Sequence, residues 1–196
     1  MTRLPDPAEQ WIGTLSGRKF CPLAPQADAI EIEDIATVLS RKFRFTCHSP
    51  QAYSVGQHSL AVADRVPHVW ALLHDAAETW LPDVPSPIKA NLFFWVPCEG
   101  SFVSLSFAKA EERILEQVAR RFNLTPLPHR SDLIQLIKNA DDRCLATERR
   151  DLFDDRQPPW PELTAEPYPE TIIPGSPTRS AELFLDRFEE LRGAAG

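Results

Sequence analysis

Apolar positions recur at helical spacing through most of this chain. In "EIEDIATVLSRKF", residues 31–43, Ile32, Ile35, Ala36, Val38 and Leu39 fall close to one helical face and predict a helix. "HSPQAYSVGQHSLAVADRV" opens with turn chemistry and becomes helical near Ser54, a residue suited to capping a first turn. Pro67 then opens a third helix, "HVWALLHDAAETW", which ends near Leu81–Pro82. A helix over about 104–122 sets Ile114, Leu115, Val118, Ala119 and Phe122 on one side. "SDLIQLIKNADDRCLATERRDLF" takes Ser131 or Asp132 as its cap and runs to about Phe153. An amphipathic "SAELFLDRFEELR" closes the chain.

The remaining segments lack that period. Residues 1–28 carry Pro and Gly punctuation, which predicts an irregular arm with one short strand or turn. "PDVPSPIKA" reads as a Pro-rich loop re-entering a helix at Lys89, and Phe93-Phe94-Trp95 as core or a subunit contact. Residues 157–178 hold too many prolines for a helix and are expected to wrap the surface. Little in the pattern suggests paired strands. The expected class is all-α, a bundle of about six helices in a single domain spanning 1–196.

Composition narrows the function classes. With 43% hydrophobic and 25% charged residues, the chain has the make-up of a globular protein with a substantial core. A formal charge of −7 argues against a nucleic-acid polymer or an anionic membrane as partner, while leaving room for a small anionic ligand in a locally cationic cleft. Cys21, Cys47, Cys98 and Cys144 are scattered without a CxxC pair, as expected of reduced thiols. The start, "MTRLPDPAEQWIG", lacks the apolar stretch of a signal peptide, and "LFFWVP" is broken by Pro97, Glu99 and Gly100. These features predict a cytoplasmic protein.

"ALLHDAAETWLPDVPSPIK", residues 71–89, concentrates His74, Asp75, Glu78 and Asp83 around an apolar run. Apolar helices bury charge reluctantly, so two readings stand: a solvated helix face, or a metal site with acid/base groups alongside. His58, the pair His74–Asp75 and Asp141 all offer metal-type ligands from helical segments. Helical neighbours diverge by about 100°. His74 and Asp75 can therefore share an ion only in a groove between helices.

At these residues the chain resembles the HD-domain metal-dependent phosphohydrolases, with their H…HD…D signature. The nearer likeness is to bacterial 5′-deoxynucleotidases and their phage relatives, which carry HD-A-x-E-x…D-x-P-x-P-x-K. Here the motif reads His74-Asp75-Ala76-Ala77-Glu78 and then Asp83-Val84-Pro85-Ser86-Pro87-Ile88-Lys89. "YSVGQHS" is similar to the first-histidine motif, "ADDRCLATERRDL" to the final-aspartate motif, and Arg44-Phe45 to the preceding Arg–aromatic pair. Ordered motifs run from about Ile32 to Leu152.

The resemblance implies a helical HD fold and one divalent ion, Co²⁺, Mn²⁺, Zn²⁺ or Fe²⁺, on His58, His74, Asp75 and Asp141, with Asp141 rather than Asp142 matching the motif. Two imidazoles and two carboxylates without thiolates suit such ions. It implies hydrolysis of a deoxynucleoside monophosphate, or of a triphosphate cut at the same phosphorus, and a homodimer. A nucleotide sensor on the same scaffold is the non-enzymatic alternative. Glu78 and Asp83 are the implied acids, one positioning water and one protonating the leaving oxygen. Glu78, four positions after His74, would share its helical face. Arg44 could bind phosphate with its planar fork, Phe45 could stack on the base or pack on the sugar, and Lys89 could add a cation. Gln57 stands where many relatives have Glu, and Phe45 where some have Trp; both bear on the nucleoside side. His48, His68 and His129 are expected outside the metal shell, and the "TERRDLFDDR" face to be solvated or salt-bridged.

Overall fold

Capping residues and apolar stripes set most element boundaries in the computed structural model, which describes residues 6–98, 101–126, 131–154, 156–160 and 162–193, leaving His129 outside the described residues. In chain order the elements are β1 (Ile12–Gly13), β2 (Lys19–Phe20), α1 (Ile32–Arg41), α2 (Val55–Arg65), α3 (Val69–Leu73) and α4 (Ser86–Lys89). They continue with β3 (Phe93–Cys98), β4 (Ser101–Ser106), α5 (Phe107–Phe122), α6 (Asp132–Leu152) and α7 (Pro177–Gly193). The chain divides into two compact units, 1–35 with 76–126 and 36–75 with 127–196. Among the described residues no helix is long and apolar enough to cross a membrane.

The fold is mainly helical but not all-α. In the first unit β1 pairs antiparallel with β2 around Gly17, whose φ of +78° is one that glycine adopts without steric cost. The ring of the fully buried Phe20 stacks on Trp80 with centroids 4.2 Å apart. β3 and β4 form a second antiparallel hairpin, Phe93 opposite Ser106 through Cys98 opposite Ser101. It corrects two expectations. Residues 104–106, read as the start of a long helix, belong to β4, and Ser106 then caps α5 by accepting the Lys109 N–H at 3.2 Å. Phe93 and Trp95 are exposed rather than core. α5 buries Phe107, Ala110, Ile114, Val118 and Phe122, a stripe at helical spacing, and Asn123 ends it in the left-handed conformation. Arg121 ties α5 to the start of α1 through the Ile30 carbonyl at 2.7 Å and Glu31 at 2.6 Å.

In the second unit Ser54 and Gln57 form a reciprocal capping box that fixes where α2 begins. α2 packs on α3, α6 and α7. α3 is apolar on every side and buried throughout, and His68, not Pro67, caps it by accepting the Trp70 N–H at 3.1 Å. Ser131 caps α6, and α7 buries Ser180, Phe184, Phe188 and Leu191. A Cβ on Gly56 would lie 3.0–3.1 Å from the Ser40 backbone, so this glycine permits a close approach to the end of α1.

Among its described residues the proline-rich segment forms no strand, and side chains of α6 bond several of its backbone groups instead. Thr147 accepts the Tyr168 N–H at 2.9 Å and Asp151 the Ile172 N–H at 2.8 Å. Arg150 donates to the Tyr168 and Glu170 carbonyls. The Tyr168 ring lies between the guanidinium groups of Arg65 and Arg143, 4.1 and 4.0 Å away.

Candidate metal centre

Three elements of the second unit bring the predicted ligands together. The capping box places His58 one turn into α2, fully buried. α3 ends at Leu73, so His74 and Asp75 lie in the turn that follows it rather than inside a continuous helix, and a 3₁₀ turn spans Ala76–Thr79. His74 itself keeps helical backbone angles (φ −59°, ψ −34°), yet its ring and the neighbouring carboxylate reach a common point: His74 Nε2 and Asp75 Oδ2 are 3.2 Å apart. α6 supplies Asp141, whose Oδ1 is 3.0 Å from His58 Nε2. His58 Nε2 and His74 Nε2 are 3.3 Å apart, and His58 Nε2 lies 3.9 Å from Asp75 Oδ2. His58, His74 and Asp75 can each present a ligand atom within 4.8 Å of the others.

The hydrogen bonds behind the rings decide their tautomers. His74 Nδ1 faces the Ala71 carbonyl at 2.8 Å, an acceptor only, so Nδ1 carries the proton. His58 Nδ1 faces Glu148 Oε1 at 2.6 Å and donates likewise. In the neutral rings both Nε2 atoms then present lone pairs toward each other and toward two carboxylates. Such a set of acceptors requires positive charge among them, as a proton or as a metal cation.

The titration behaviour has the same origin. Burial and Arg44 lower the His58 pKa, but Glu148 and Asp141 outweigh them and hold it up at about 10. His74 is also raised, Asp75 and Asp141 overcoming the effect of burial. Burial opposes ionisation of Asp75, yet His74, His58 and Arg44 hold its carboxyl far below the usual range; Asp141 is lowered against burial by His58 and His74. A field that favours imidazolium favours a divalent cation in the same place.

The donor set fits such an ion. Bonds of about 2.0–2.2 Å put neighbouring ligand atoms roughly 3.0–3.5 Å apart, against observed separations of 3.0–3.9 Å. The site is closed behind His58 and Glu148, both fully buried, and more open at Asp75 and Asp141, whose side chains are 22% and 38% exposed. The cluster reaches solvent on that side.

Glu148 is the functional residue that sequence reasoning missed. It lies in the stretch read as solvated or salt-bridged, yet is fully buried, accepting from His58 and from Arg44 Nε at 3.0 Å. Its signal was its spacing: seven residues after Asp141, two helical turns along one face of α6. Arg44 Nη1 also lies 3.9 Å from Asp75 Oδ2, placing the predicted phosphate ligand beside the cluster. Phe45 packs against Phe153 and Trp160, with centroids 5.0 and 5.8 Å away. Phe45, Thr46 and Cys47 all have positive φ (58°, 48° and 63°), a left-handed turn that costs non-glycine residues about 1–2 kcal/mol each. Strain of this kind gathers at functional sites.

Glu78, Asp83 and Lys89 belong to the first unit. Glu78 is buried in the 3₁₀ turn, and the helical spacing expected to align it with His74 does not apply across the break. Asp83 is half-buried after Pro82, and Lys89 pairs with Glu111 at 2.7 Å. His48 is exposed, and His68 is held in its cap.

Fold and site together define a mainly helical protein with a partly buried His–His–Asp cluster able to take a cation. No family model matches the chain. It is 34% identical over 186 residues to the uncharacterized protein YfdR of Escherichia coli K12, covering 92% of this chain and 95% of that one. It is 33% identical over 143 residues to the uncharacterized protein RCAP_rcc00048 of Rhodobacter capsulatus, 67% of each chain. The chain belongs to the YfdR family.

Proposed function

We propose that this protein is a metal-dependent phosphohydrolase of the HD type that cleaves the 5′-phosphoester of deoxynucleoside monophosphates, releasing nucleoside and orthophosphate. The observation that carries the reading is the convergence of two Nε2 lone pairs and two carboxylates, with both Nδ1 atoms committed elsewhere. His58, His74, Asp75 and Asp141 would hold the ion. When bound, it would supply Lewis-acid stabilisation to a phosphoryl group and acidify water.

In the net reaction a water oxygen bonds to phosphorus, the P–O5′ bond breaks, and the leaving oxygen takes a proton. Arg44 is suited to the substrate phosphate by its position beside Asp75, and Glu148 fixes its orientation. Glu78 and Asp83 take the acid and water-positioning roles by resemblance to the HD phosphohydrolases. Phe45 and Lys89 are assigned to the nucleoside and phosphate sides on the same basis.

The test is phosphate release from a nucleotide panel with Mn²⁺ or Co²⁺ added. Orthophosphate from deoxynucleoside monophosphates, lost in His74→Ala, is the expected result. Tripolyphosphate released from triphosphates would move the assignment to a triphosphohydrolase, and no turnover with any metal would leave a nucleotide-binding protein.

A further inference from the structure

Beside the cation site the second unit carries a group of rings that the metal chemistry does not use. Phe45, Phe153 and Trp160 pack on one another, with centroids 5.0, 5.3 and 5.8 Å apart. Each is half-buried, whereas phenylalanines that fill the core, such as Phe184 and Phe188, are at most 1% exposed. Arg44 joins the rings to the cluster: its Nη1 lies 3.9 Å from Asp75 Oδ2 and its Cζ 5.3 Å from the Phe45 centroid. A nucleotide whose phosphate meets the cation and Arg44 has this aromatic wall within reach of its base.

Arg149 completes the wall. Its Cζ lies 5.7 Å from the Phe153 centroid and 5.6 Å from the Trp160 centroid, and Nη2 donates to the Gln157 carbonyl at 3.1 Å. The acids near it in sequence are committed elsewhere: Glu148 to His58 and Arg44, Asp151 to Arg150 and the Ile172 N–H, and Asp154 to Arg156. Among the described residues no carboxylate bonds Arg149. A guanidinium laid on rings and lacking a counter-charge keeps most of its fork of donors for an incoming acceptor. Base stacking on aromatic side chains beside an arginine is a general mode of holding a nucleobase.

The donors select among bases. A guanidinium only donates, and its fork matches two adjacent acceptors. Guanine presents such a pair, N7 and O6; adenine sets an N6 donor beside N7, cytosine presents the N4 donor, and thymine a single O4 acceptor.

On the nucleotide reading given above, we propose that Arg149 and Trp160 form the base subsite of this centre and that it prefers guanine, the base stacking on the rings while Arg149 donates to N7 and O6. Trp160 comes from the proline-rich segment, outside the motifs that carry the HD resemblance. The Arg149 bond to the Gln157 carbonyl and the Leu163 N–H donated to the Trp160 carbonyl at 3.0 Å hold that residue against α6.

Titration calorimetry of the Mn²⁺-loaded full chain tests this, with 5′-methylenephosphonates of deoxyguanosine, deoxyadenosine and base-free deoxyribose, whose P–C bond in place of P–O5′ prevents turnover. The deoxyguanosine ligand is expected to bind at least about tenfold more tightly than the deoxyadenosine one. Arg149→Lys keeps the charge, loses the fork and removes that preference. Trp160→Ala weakens both nucleoside ligands about tenfold. Neither substitution changes the affinity of the base-free ligand. Should Trp160→Ala lose its helical circular dichroism, Arg149→Lys decides alone. No binding, equal affinity for the two bases, a preference that survives Arg149→Lys, or an equal loss for the base-free ligand would overturn the proposal. Phosphate release keeps the two readings apart. Turnover of deoxynucleoside monophosphates without a base preference sinks the subsite and leaves the hydrolase. Guanine binding that depends on Arg149, with no turnover, sinks the hydrolase and leaves the subsite.

Discussion

Replacing Glu148 by glutamine should weaken divalent-metal binding without touching a metal ligand. Glu148 accepts two hydrogen bonds, from His58 Nδ1 at 2.6 Å and Arg44 Nε at 3.0 Å, with no solvent exposure. A glutamine amide has one accepting atom and one NH₂ group, so one of those donors must face another donor. The Arg44 charge, 13% exposed, loses its buried counter-charge, and His58 loses the group that holds its Nδ1 proton. Outer groups that orient a metal-bound histidine contribute about 10–100-fold in affinity, or roughly 1.4–2.7 kcal/mol. Removing one partner of a buried ion pair costs about 3–5 kcal/mol of stability. Titration calorimetry with Mn²⁺ or Co²⁺ reads the first effect and urea unfolding of the metal-free protein the second. Wild-type affinity in a variant that is destabilised would refute the positioning role while leaving the buried ion pair intact as a structural feature.

Three smaller perturbations test the scaffold. Gly56→Ala should cost about 1–3 kcal/mol, because the new Cβ meets Ser40 Oγ at 2.7 Å and also the Ser40 backbone N and Cα at 3.0 and 3.1 Å, which a side-chain rotation does not relieve; an unchanged urea midpoint would contradict the close approach. Ser54→Ala should cost about 1 kcal/mol by removing half of the capping box, read by the same unfolding curves. Asp151 has a lowered pKa through its hydrogen bond to Arg150 and that from the Ile172 N–H, so its contribution is present above the unfolded carboxyl value of about 4 and is lost as pH falls through the lower folded value. Asp151→Asn should therefore flatten the loss of stability below about pH 4, and a variant with the wild-type acid limb would show that the Asp151 contacts do not contribute.

Local chemistry made much of this protein legible from its residues. Ser54 and Ser131 start helices because a hydroxyl at a turn can accept from the first amides, and the α5 stripe followed from spacing alone. The proline-rich segment was recognisable because proline cannot donate, although the groups on α6 that would satisfy it were not. The β3–β4 hairpin was hidden: "LFFWVP" is a continuous apolar run, and such runs do not distinguish strand from buried helix. The break at His74 carries no Gly or Pro to announce it, and the left-handed turn at Phe45–Cys47 has neither Gly nor Asn. Within the site, His58, His74, Asp75 and Asp141 were named in advance, whereas Glu148, flanked by Thr147 and Arg149, looked like part of a polar surface. Its role depends on what faces it across the core, and no single segment encodes that.

Anomalous diffraction from crystals soaked in Mn²⁺ or Co²⁺ bears on the cation most directly. One peak per chain, bonded to Nε2 of both His58 and His74 and to the Asp75 and Asp141 carboxylates, is the predicted result. Imidazoles hydrogen-bonded to the carboxylates with no peak between them, at metal concentrations that saturate ordinary His–carboxylate sites, would contradict it.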